Sequence, residues 1–241
     1  MVRAPLRESI LRRSQEKGLL KIRVVDFRNY ARDKHRVVDD LPFGGGPGMV
    51  LKAGPIFAAV RDCQKDGPPA RVLLMSPQGR RFDQEMAKGL AQEDHLIFIC
   101  GRYEGVDERV REALVTDEIS IGDYVLSGGE LPALVVIEAL SRLIPGVLGD
   151  EDSARGDSFY EGLLDHPHYT RPACFEGMEV PPILISGHHE QIRRWRRKEA
   201  LRRTRDRRPD LLEIAPLSEE DRLLLQEIAE EKNSGSKEKS R

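Results

Sequence analysis

The sequence lacks the features that mark several common classes of protein. Its three cysteines, Cys63, Cys100 and Cys174, are far apart and form no CxxC pair, so neither a cysteine zinc site nor a disulfide framework is expected. A reducing, cytoplasmic compartment is the simplest assignment. No apolar run reaches the roughly 18 residues of a membrane-spanning helix. The first residues contain no apolar segment, so no signal peptide is expected either.

Two nucleotide-binding motifs are also absent. The sequence contains neither GxGxxG nor GxxxxGK[ST], so a Rossmann site for nicotinamide or flavin and a phosphate-binding P-loop are not expected. The run Gly44-Gly45-Gly46-Pro47-Gly48 is as compatible with a plain surface turn as with a functional loop.

The overall charge is nearly balanced. The chain has 39 Lys and Arg against 41 Asp and Glu, for a net charge of -2, which excludes a uniformly basic nucleic-acid binder. Residues 193–208 nevertheless hold ten basic and two acidic residues, a local charge of +8. Like charges on one helix repel, so this stretch predicts a polyanionic partner. Trp195 within it is interpreted as a core anchor rather than a base-stacking platform.

Apolar periodicity predicts helices that alternate with apolar strands through the first 150 residues, roughly. Such alternation favours a parallel sheet covered on both faces. Composition then shifts to a polar linker, a basic helix ended by Pro209 and a last amphipathic helix. The predicted helices are 4–17, 55–63, 83–91, 107–114 (with Asp107 as its N-cap), 131–143, 186–208 and 218–231. The predicted strands are 19–27, 71–75, 95–100 and 116–120, and the tail from 232 is predicted to be disordered.

Three successive predicted strands end in glycine-containing loops. They are loop A (residues 76–79), loop B (101–105) and loop C (121–130). Ligands of open α/β sheets bind at the carboxyl ends of the strands, where glycines allow the backbone to approach closely. One such loop would be an ordinary turn, but three in succession predict a ligand pocket.

Other candidate residues have ordinary structural explanations when taken alone. Asp157 suits a solvated linker carboxylate, and Arg142 suits a cation at a helix C-terminus. The pairs His166 with His168 and His188 with His189 suggest a metal, but no acidic or cysteine partner stands at ligand spacing, so no metal site is predicted.

In chain order these segments resemble the TrmD family, the bacterial tRNA (guanine-37 N1)-methyltransferases. The resemblance runs roughly from residue 4 to residue 230. It is carried by Val38-Asp39-Asp40 with 43–49, loop A, 101–109, 120–132, 144–149, Asp157-Ser158-Phe159 and 162–172, which includes His168-Tyr169-Thr170-Arg171-Pro172. Family members begin with a further strand and a Phe-Pro-x-Met-Phe segment, which this sequence lacks.

The resemblance implies a fold and an assembly. The fold is α/β, a SPOUT-type parallel sheet with a C-terminal trefoil knot, followed by a small helical domain. The implied domains are a knotted cofactor-binding domain (1–148), a flexible linker (149–159) and a helical tRNA-binding domain with a disordered tail (160–241). The family works as a homodimer with each active site at the subunit interface.

The resemblance also implies a reaction. A methyl group passes from S-adenosylmethionine to N1 of guanine 37 in tRNA, with Asp157 as the general base and Arg142 stabilising charge on O6. A dependence on Mg²⁺ is implied too, although the sequence shows no cage of magnesium ligands. The implied cofactor-binding residues are Ser76, Pro77, Gly101, Tyr103, Glu104, Gly105, Ser120, Ile121, Gly122, Tyr124, Leu126, Gly128, Gly129 and Pro132.

Three alternatives remain open at this point. The first is another SPOUT methyltransferase with a different RNA target, which would not need Asp157 or the segment 168–172. The second is a non-catalytic RNA-binding module that relies on the basic helix alone. The third is a nucleotide phosphate binder that uses the run 44–48, and the missing Lys-Ser/Thr argues against it.

Overall fold

The structure is a computed structural model that describes residues 1–149 and 156–238, with side chains described as far as Glu231. The chain forms two compact units, Met1–Asp150 and Glu151–Arg241. Most of the predicted linker, 149–159, lies outside the described residues. In the described parts, no helix is both long and apolar enough to cross a membrane.

The first unit is built on three parallel strands, in the order β4-β3-β5. Helices separate the strands along the chain, so the predicted alternation and the parallel sheet are confirmed. The elements are α1 (Ser9–Glu16), β1 (Asp39–Asp40), β2 (Val50–Leu51), α2 (Ala53–Cys63), β3 (Arg71–Arg81), α3 (Gln84–Leu90), β4 (Leu96–Cys100), α4 (Glu108–Leu114), β5 (Asp117–Ser120) and α5 (Glu130–Ser141).

Both faces of this sheet are buried, as the unbroken apolar strands predicted. Along β3, Val72 and Leu74 face one core with α2 and α4, whereas Leu73 and Met75 face a second core with α3 and α5. Successive side chains of a strand point to opposite faces, so an apolar run without alternation places hydrophobic groups on both. The sheet is thereby fixed between two layers of helices.

Two aspartates cap the starts of helices in this unit. The Asp107 carboxylate accepts a hydrogen bond from the backbone N–H of Arg109 (3.0 Å), which confirms it as the N-cap of α4. Asp83 does the same for α3 through the N–H of Met86 (2.8 Å). Such caps satisfy N–H groups that have no partner inside the helix.

The predicted strand 19–27 is wrong. Residues 20–26 have no regular structure, and Phe27–Tyr30 is a 3₁₀ helix. Apolar side chains at alternate positions make a strand only when a neighbouring strand accepts its backbone hydrogen bonds. Within the described residues this segment has no such neighbour, and Leu19 and Val24 both stay partly exposed.

The second unit is mainly helical around a small core. It contains the hairpin β6 (Cys174–Phe175) and β7 (Met178–Glu179), followed by α6 (His189–Arg207), α7 (Pro209–Ile214) and α8 (Glu219–Glu238). Leu163, Leu201, Leu224 and Ile228 are buried together. Pro209 ends α6 as predicted, but α8 continues to Glu238, so the tail predicted to be disordered from 232 is helical that far.

Candidate functional site

Loops B and C are joined by hydrogen bonds at the carboxyl edge of the sheet. The Gly129 N–H donates to the carbonyl of Gly101 (2.8 Å), and Arg102 and Gly128 form an antiparallel bridge. The Arg102 guanidinium also donates to the Glu130 carboxylate (2.8 Å) at the start of α5. The two loops therefore form one connected surface.

Gly129 explains why loop C can lie so close to the strands. A Cβ atom at this position would lie 2.8 Å from the Cα of Cys100 and 3.1 Å from the Cβ of Met75. Real side chains do not approach this closely, so only glycine lets the loop rest on the ends of β3 and β4.

Loop A lies within the long strand β3 and interrupts its pairing. The register between β3 and β5 shifts between Met75 and Arg80, so residues 76–79 bulge out of the ladder. A Cβ on Gly79 would overlap the backbone of Glu118, so this glycine is also required by close packing. The Ser76 hydroxyl accepts the N–H of Gln78 (3.2 Å) and shapes the bulge.

Loop B carries a strained residue. Tyr103 has φ 58°, in the left-handed region that non-glycine residues seldom occupy, and its side chain is exposed. Such conformations cluster at ligand-binding sites, where the surrounding structure holds them in place. Gly105 has φ 117° and open space where a side chain would stand, which leaves room beside Tyr103.

The glycine run 44–48 also approaches this surface. Its neighbour Met49 accepts a hydrogen bond from the N–H of Glu104 (3.1 Å), and a Cβ on Gly48 would overlap the Glu104 side chain. Leu51 donates to the carbonyl of Gly105 (2.9 Å). The run is therefore attached to loop B, a contact that the sequence patterns left undecided. Its unusual density of glycine was the available signal.

The predicted residues of loop C divide into buried and exposed groups. Ser120 is buried, and its hydroxyl donates to the carbonyl of Gly122 (3.0 Å). The Tyr124 ring lies directly against Gly122. Tyr124 and Leu126 are otherwise exposed, although they are large and apolar. Ile121, Gly128, Gly129 and Pro132 are half-buried or buried around the same edge.

Cys100, at the end of β4, is a titratable residue in an apolar environment. Burial, together with the nearby Glu130 carboxylate, raises the pKa of the Cys100 thiol to about 12. The thiol therefore stays neutral at physiological pH and serves as packing.

The two predicted catalytic residues belong to different units. Arg142 is the half-buried C-cap of α5 in the first unit. Asp157 is an exposed residue of the second unit. It starts a tight turn in which the Phe159 N–H donates to Leu163 (2.6 Å).

This turn is attached to α6. The Leu164 N–H donates to the hydroxyl of buried Thr204 (2.9 Å), and the Asp165 N–H donates to the hydroxyl of Ser158 (2.9 Å). Leu163 enters the core of the unit. The position of Asp157 relative to α6 is therefore set by its immediate neighbours on the turn.

A carboxylate lies between two of the histidines. Asp165 Oδ1 is 2.7 Å from His166 Nδ1, and Asp165 Oδ2 is 2.7 Å from His168 Nε2. Burial alone would raise the pKa of Asp165, but hydrogen bonds from His168 and from the His166 backbone hold it below its usual value. The premise that these histidines have no acidic partner at ligand spacing is therefore wrong.

The basic stretch 193–208 is largely neutralised within the unit. Seven of its ten cations have a carboxylate partner: Arg193, Arg194, Arg197, Lys198, Arg202, Arg205 and Arg208. Several of these carboxylates come from α8, which lies beside α6. Residues distant in sequence therefore supply much of the compensating charge for which the sequence alone pointed to a polyanionic partner.

Three cations of the stretch have no carboxylate partner among the described residues: Arg196, Arg203 and Arg207. Their spacing of seven and four residues places them within about 40° of one another around α6. They form a stripe that we call the free-arginine stripe.

Trp195 is half-buried with its ring 6.4 Å from that of Tyr169, which fits an anchoring contact between α6 and the segment 168–172.

The described surface has a cleft in each of the two units. One, of about 460 Å³, is in the second unit and is lined by His166, His189, Ile192, Arg193, Arg196, Arg197 and Ala200. The other, of about 380 Å³, lies beside α3 and β5. The loop surface exposes the large side chains of Tyr103, Tyr124 and Leu126.

Comparisons with known proteins agree on one family. The model of the family described as "tRNA (Guanine-1)-methyltransferase TrmD" matches residues 1–214. A protein of Moorella thermoacetica is 63% identical over 226 residues, which are 93% of this chain and 90% of the relative. A protein of Dehalococcoides mccartyi is 57% identical over 235 residues, 97% of this chain and 95% of the relative. Both relatives are named tRNA (guanine-N(1)-)-methyltransferase.

Proposed function

Because this chain belongs to the TrmD family of tRNA (guanine-1)-methyltransferases, we propose that loops A, B and C bind the methyl donor and that Asp157 and Arg142 carry the reaction. The enzyme transfers a methyl group from S-adenosylmethionine to N1 of guanine 37 in tRNA, the reaction of the family. The connection of loops B and C through Gly129 is the observation that most supports the donor site.

The residues at this edge suit S-adenosylmethionine. Backbone N–H and C=O groups of glycine loops can pair with the polar edges of an adenine, and the exposed ring of Tyr103 offers an apolar face beside open space at Gly105. The bound donor supplies a methyl group on a sulfonium centre. The task of the loops is to hold it in one orientation and to exclude water.

Asp157 would remove the N1 proton of guanine. That nitrogen is protonated at neutral pH, so it becomes a nucleophile only as the proton leaves. Arg142 would donate to O6, where negative charge develops as the N1–H bond breaks. A carboxylate is a weak base for this proton. Stabilising the charge on O6 makes the N1 proton more acidic and so compensates for the low basicity of the carboxylate. The proton ends on Asp157 and the methyl group on N1.

Magnesium fits the described residues poorly. Among them, the one group of three side chains that could hold a metal ion contains two imidazoles. Magnesium takes oxygen ligands in an octahedral arrangement and usually keeps several waters. The described part of the chain therefore offers no identified ligand set for Mg²⁺.

A homodimer would complete the site. Loop C and α5 expose large apolar side chains next to one another in sequence, Tyr124, Val125, Leu126, Leu131 and Val135. Exposed apolar side chains in this number favour an interaction surface, and the family's assembly makes a second copy the natural partner. The trefoil knot implied by the resemblance is part of the same proposal, supported by the parallel sheet whose carboxyl-end loops join.

tRNA would contact the free-arginine stripe. Arg196, Arg203 and Arg207 can bind backbone phosphates without first breaking an ion pair, whereas the other cations of α6 cannot. Such contacts contribute affinity rather than sequence choice. Replacing all three with Gln should weaken tRNA binding. It should also lower the slope of log affinity against log salt concentration by the equivalent of roughly two to three phosphate contacts.

A tRNA substrate and unpaired cysteines fit a cytoplasmic location.

The deciding experiment measures methyl transfer from labelled S-adenosylmethionine to a tRNA transcript with guanine at position 37 and to the same transcript with adenine there. We expect methylation of the first only. Asp157→Asn should reduce the rate by about 100- to 10,000-fold. Glu161→Gln is the matched control, because it removes an exposed carboxylate from the same turn and should leave the rate nearly unchanged. Methylation of both transcripts would show that the target is a nucleotide other than guanine 37. Full activity of Asp157→Asn would refute the role of Asp157 as the base.

A further inference from the structure

The side chains of Asp165, His166 and His168 have the spacing of a metal site. Their ligand atoms all lie within 4.8 Å of one another. The carboxylate already lies between the two rings, 2.7 Å from His166 Nδ1 and 2.7 Å from His168 Nε2. The ring centroids are 4.4 Å apart, so both imidazoles face the same small volume.

A local rearrangement of these three side chains separates this arrangement from coordination, because their ligand atoms already lie within 4.8 Å of one another. Ligand atoms about 2.05 Å from a tetrahedral metal lie roughly 3.3 Å from one another. Each carboxylate–imidazole pair would therefore open by roughly 0.6 Å as the ion takes the place of the hydrogen-bonding proton. The proton that bridged each imidazole and the carboxylate moves to the other nitrogen of the same ring, so each ring changes tautomer and no proton is released.

The set is also local and anchored. The ligands lie within four consecutive residues, with Pro167 restricting the backbone between the histidines. The Asp165 N–H is held by Ser158, and the Leu164 N–H by buried Thr204. Binding would therefore order few additional groups, and three protein ligands leave one position open toward the cleft that His166 lines.

We propose that Asp165, His166 and His168 bind one divalent transition-metal ion of the zinc or cobalt class. Two imidazole nitrogens and one carboxylate oxygen are the donor set that these ions prefer, whereas magnesium and calcium prefer oxygen alone. The ion fixes the segment from the Asp157 turn to the His168–Pro172 motif. This site stands independently of the assigned methyl transfer.

The neighbouring arginines oppose a cation and supply a specific check. Arg193 and Arg197 in the same cleft are paired with carboxylates, but Arg196 is not. Its positive charge should weaken binding of a divalent ion. Arg196→Gln should therefore tighten the binding by a few-fold at low salt, and less at high salt.

The test uses the full chain prepared without a polyhistidine tag and stripped with a chelator. Co²⁺ is titrated and followed by its visible absorption, Zn²⁺ is then added as competitor, and bound metal is counted after gel filtration. We expect one ion per chain, displaced by Zn²⁺ but not by a large excess of Mg²⁺. His166→Asn and His168→Asn should each weaken binding by at least about 100-fold, more than the loss of an outer-shell partner causes.

His35→Asn is the matched control, since it removes an exposed histidine of the first unit and should change nothing. The His168 side chain is 70% exposed, so its replacement leaves the fold intact even if that of His166 does not. Displacement of Co²⁺ by Mg²⁺, or metal binding that survives both substitutions, would overturn the proposal. So would a stripped protein that takes up no ion.

Discussion

The ion pair between Asp221 and Arg197 should be a principal source of stability in the second unit. The Asp221 carboxylate is almost wholly buried, and the Arg197 guanidinium meets it with two hydrogen bonds of 2.7 and 2.9 Å. The backbone N–H and the hydroxyl of Ser218 donate to the same carboxylate (3.0 and 2.9 Å). In return, the Ser218 hydroxyl accepts the Asp221 N–H, which forms a capping box at the start of α8.

The size of the effect follows from the pKa. The Arg197 hydrogen bonds, together with those from Ser218, lower the pKa of Asp221 from 3.8 to about 2, although burial opposes this. A fall of that size corresponds to roughly 2.5 kcal/mol of folding free energy. Asp221→Asn keeps the volume but turns an amide toward the guanidinium, so it should destabilise the unit by about that amount near pH 7.

The pH dependence has a definite sign. A carboxyl group with a lowered pKa stabilises the folded state at pH values above its unfolded pKa, and this contribution disappears as the pH falls from about 4 to about 2. The difference in unfolding free energy between the wild type and Asp221→Asn should therefore be constant near neutrality and shrink over that interval. Carboxylates elsewhere titrate in both proteins and cancel in the difference.

Urea unfolding followed by Trp195 fluorescence measures this directly. Trp195 is the chain's only tryptophan and lies on α6, two residues before Arg197, so its signal reports the second unit. Glu220→Gln is the matched control, because Glu220 pairs with Arg193 across the same two helices but at an exposed position. The Glu220→Gln substitution should lower the free energy of unfolding by less than about 0.5 kcal/mol. Equal losses in the two variants, or a difference that does not change between about pH 5 and pH 2.5, would refute the reasoning.

Three further predictions follow from the loop surface. Gly129→Ala should destabilise the first unit by about 2 kcal/mol and weaken S-adenosylmethionine binding in calorimetry, because its Cβ would meet the end of β4. Gly54→Ala in α2 is the control and should not destabilise the unit, because the added Cβ meets open space and alanine favours a helix. At roughly pH 8, a thiol reagent should label exposed Cys174 quickly and Cys100 hardly at all, because burial raises the pKa of the Cys100 thiol to about 12. Mass spectrometry locates the label, and fast labelling of Cys100 would contradict its burial. Val125→Glu should convert the proposed dimer into monomers in analytical ultracentrifugation, since Val125 is 84% exposed and is the most exposed of the apolar side chains of loop C and α5. An unchanged mass would place the interface elsewhere.

Local signals in the sequence were sufficient for much of the first unit. The unbroken apolar runs at 71–75 and 95–100 predict strands buried on both faces, and the structure confirms it through Val72 and Leu73. Asp107 was recognisable as a helix cap because a short polar side chain directly preceded an apolar periodicity. Both inferences depend only on neighbours along the chain.

Inference from local pattern failed where a distant partner decides the outcome. Residues 19–27 have the composition of a strand, but within the described residues nothing pairs with them. The basic stretch of α6 predicted an external polyanion, yet acidic residues of α8 neutralise much of it, as Arg197 with Asp221 shows. The histidines are a different case: Asp165 directly precedes His166 in the sequence, but only the structure shows that its carboxylate lies between the two rings.

The sequence by itself determined the alternation of strands and helices, the glycines at the ends of the strands and, by resemblance, the family and its reaction. Only the tertiary structure decided that loop C rests on β4 through Gly129 and that the run 44–48 touches Glu104. It also decided which cations of α6 have a carboxylate partner, as Arg193 and Arg197 do. The physical reason is that periodicity and capping act between residues a few positions apart, whereas close packing and charge compensation depend on which distant segments meet.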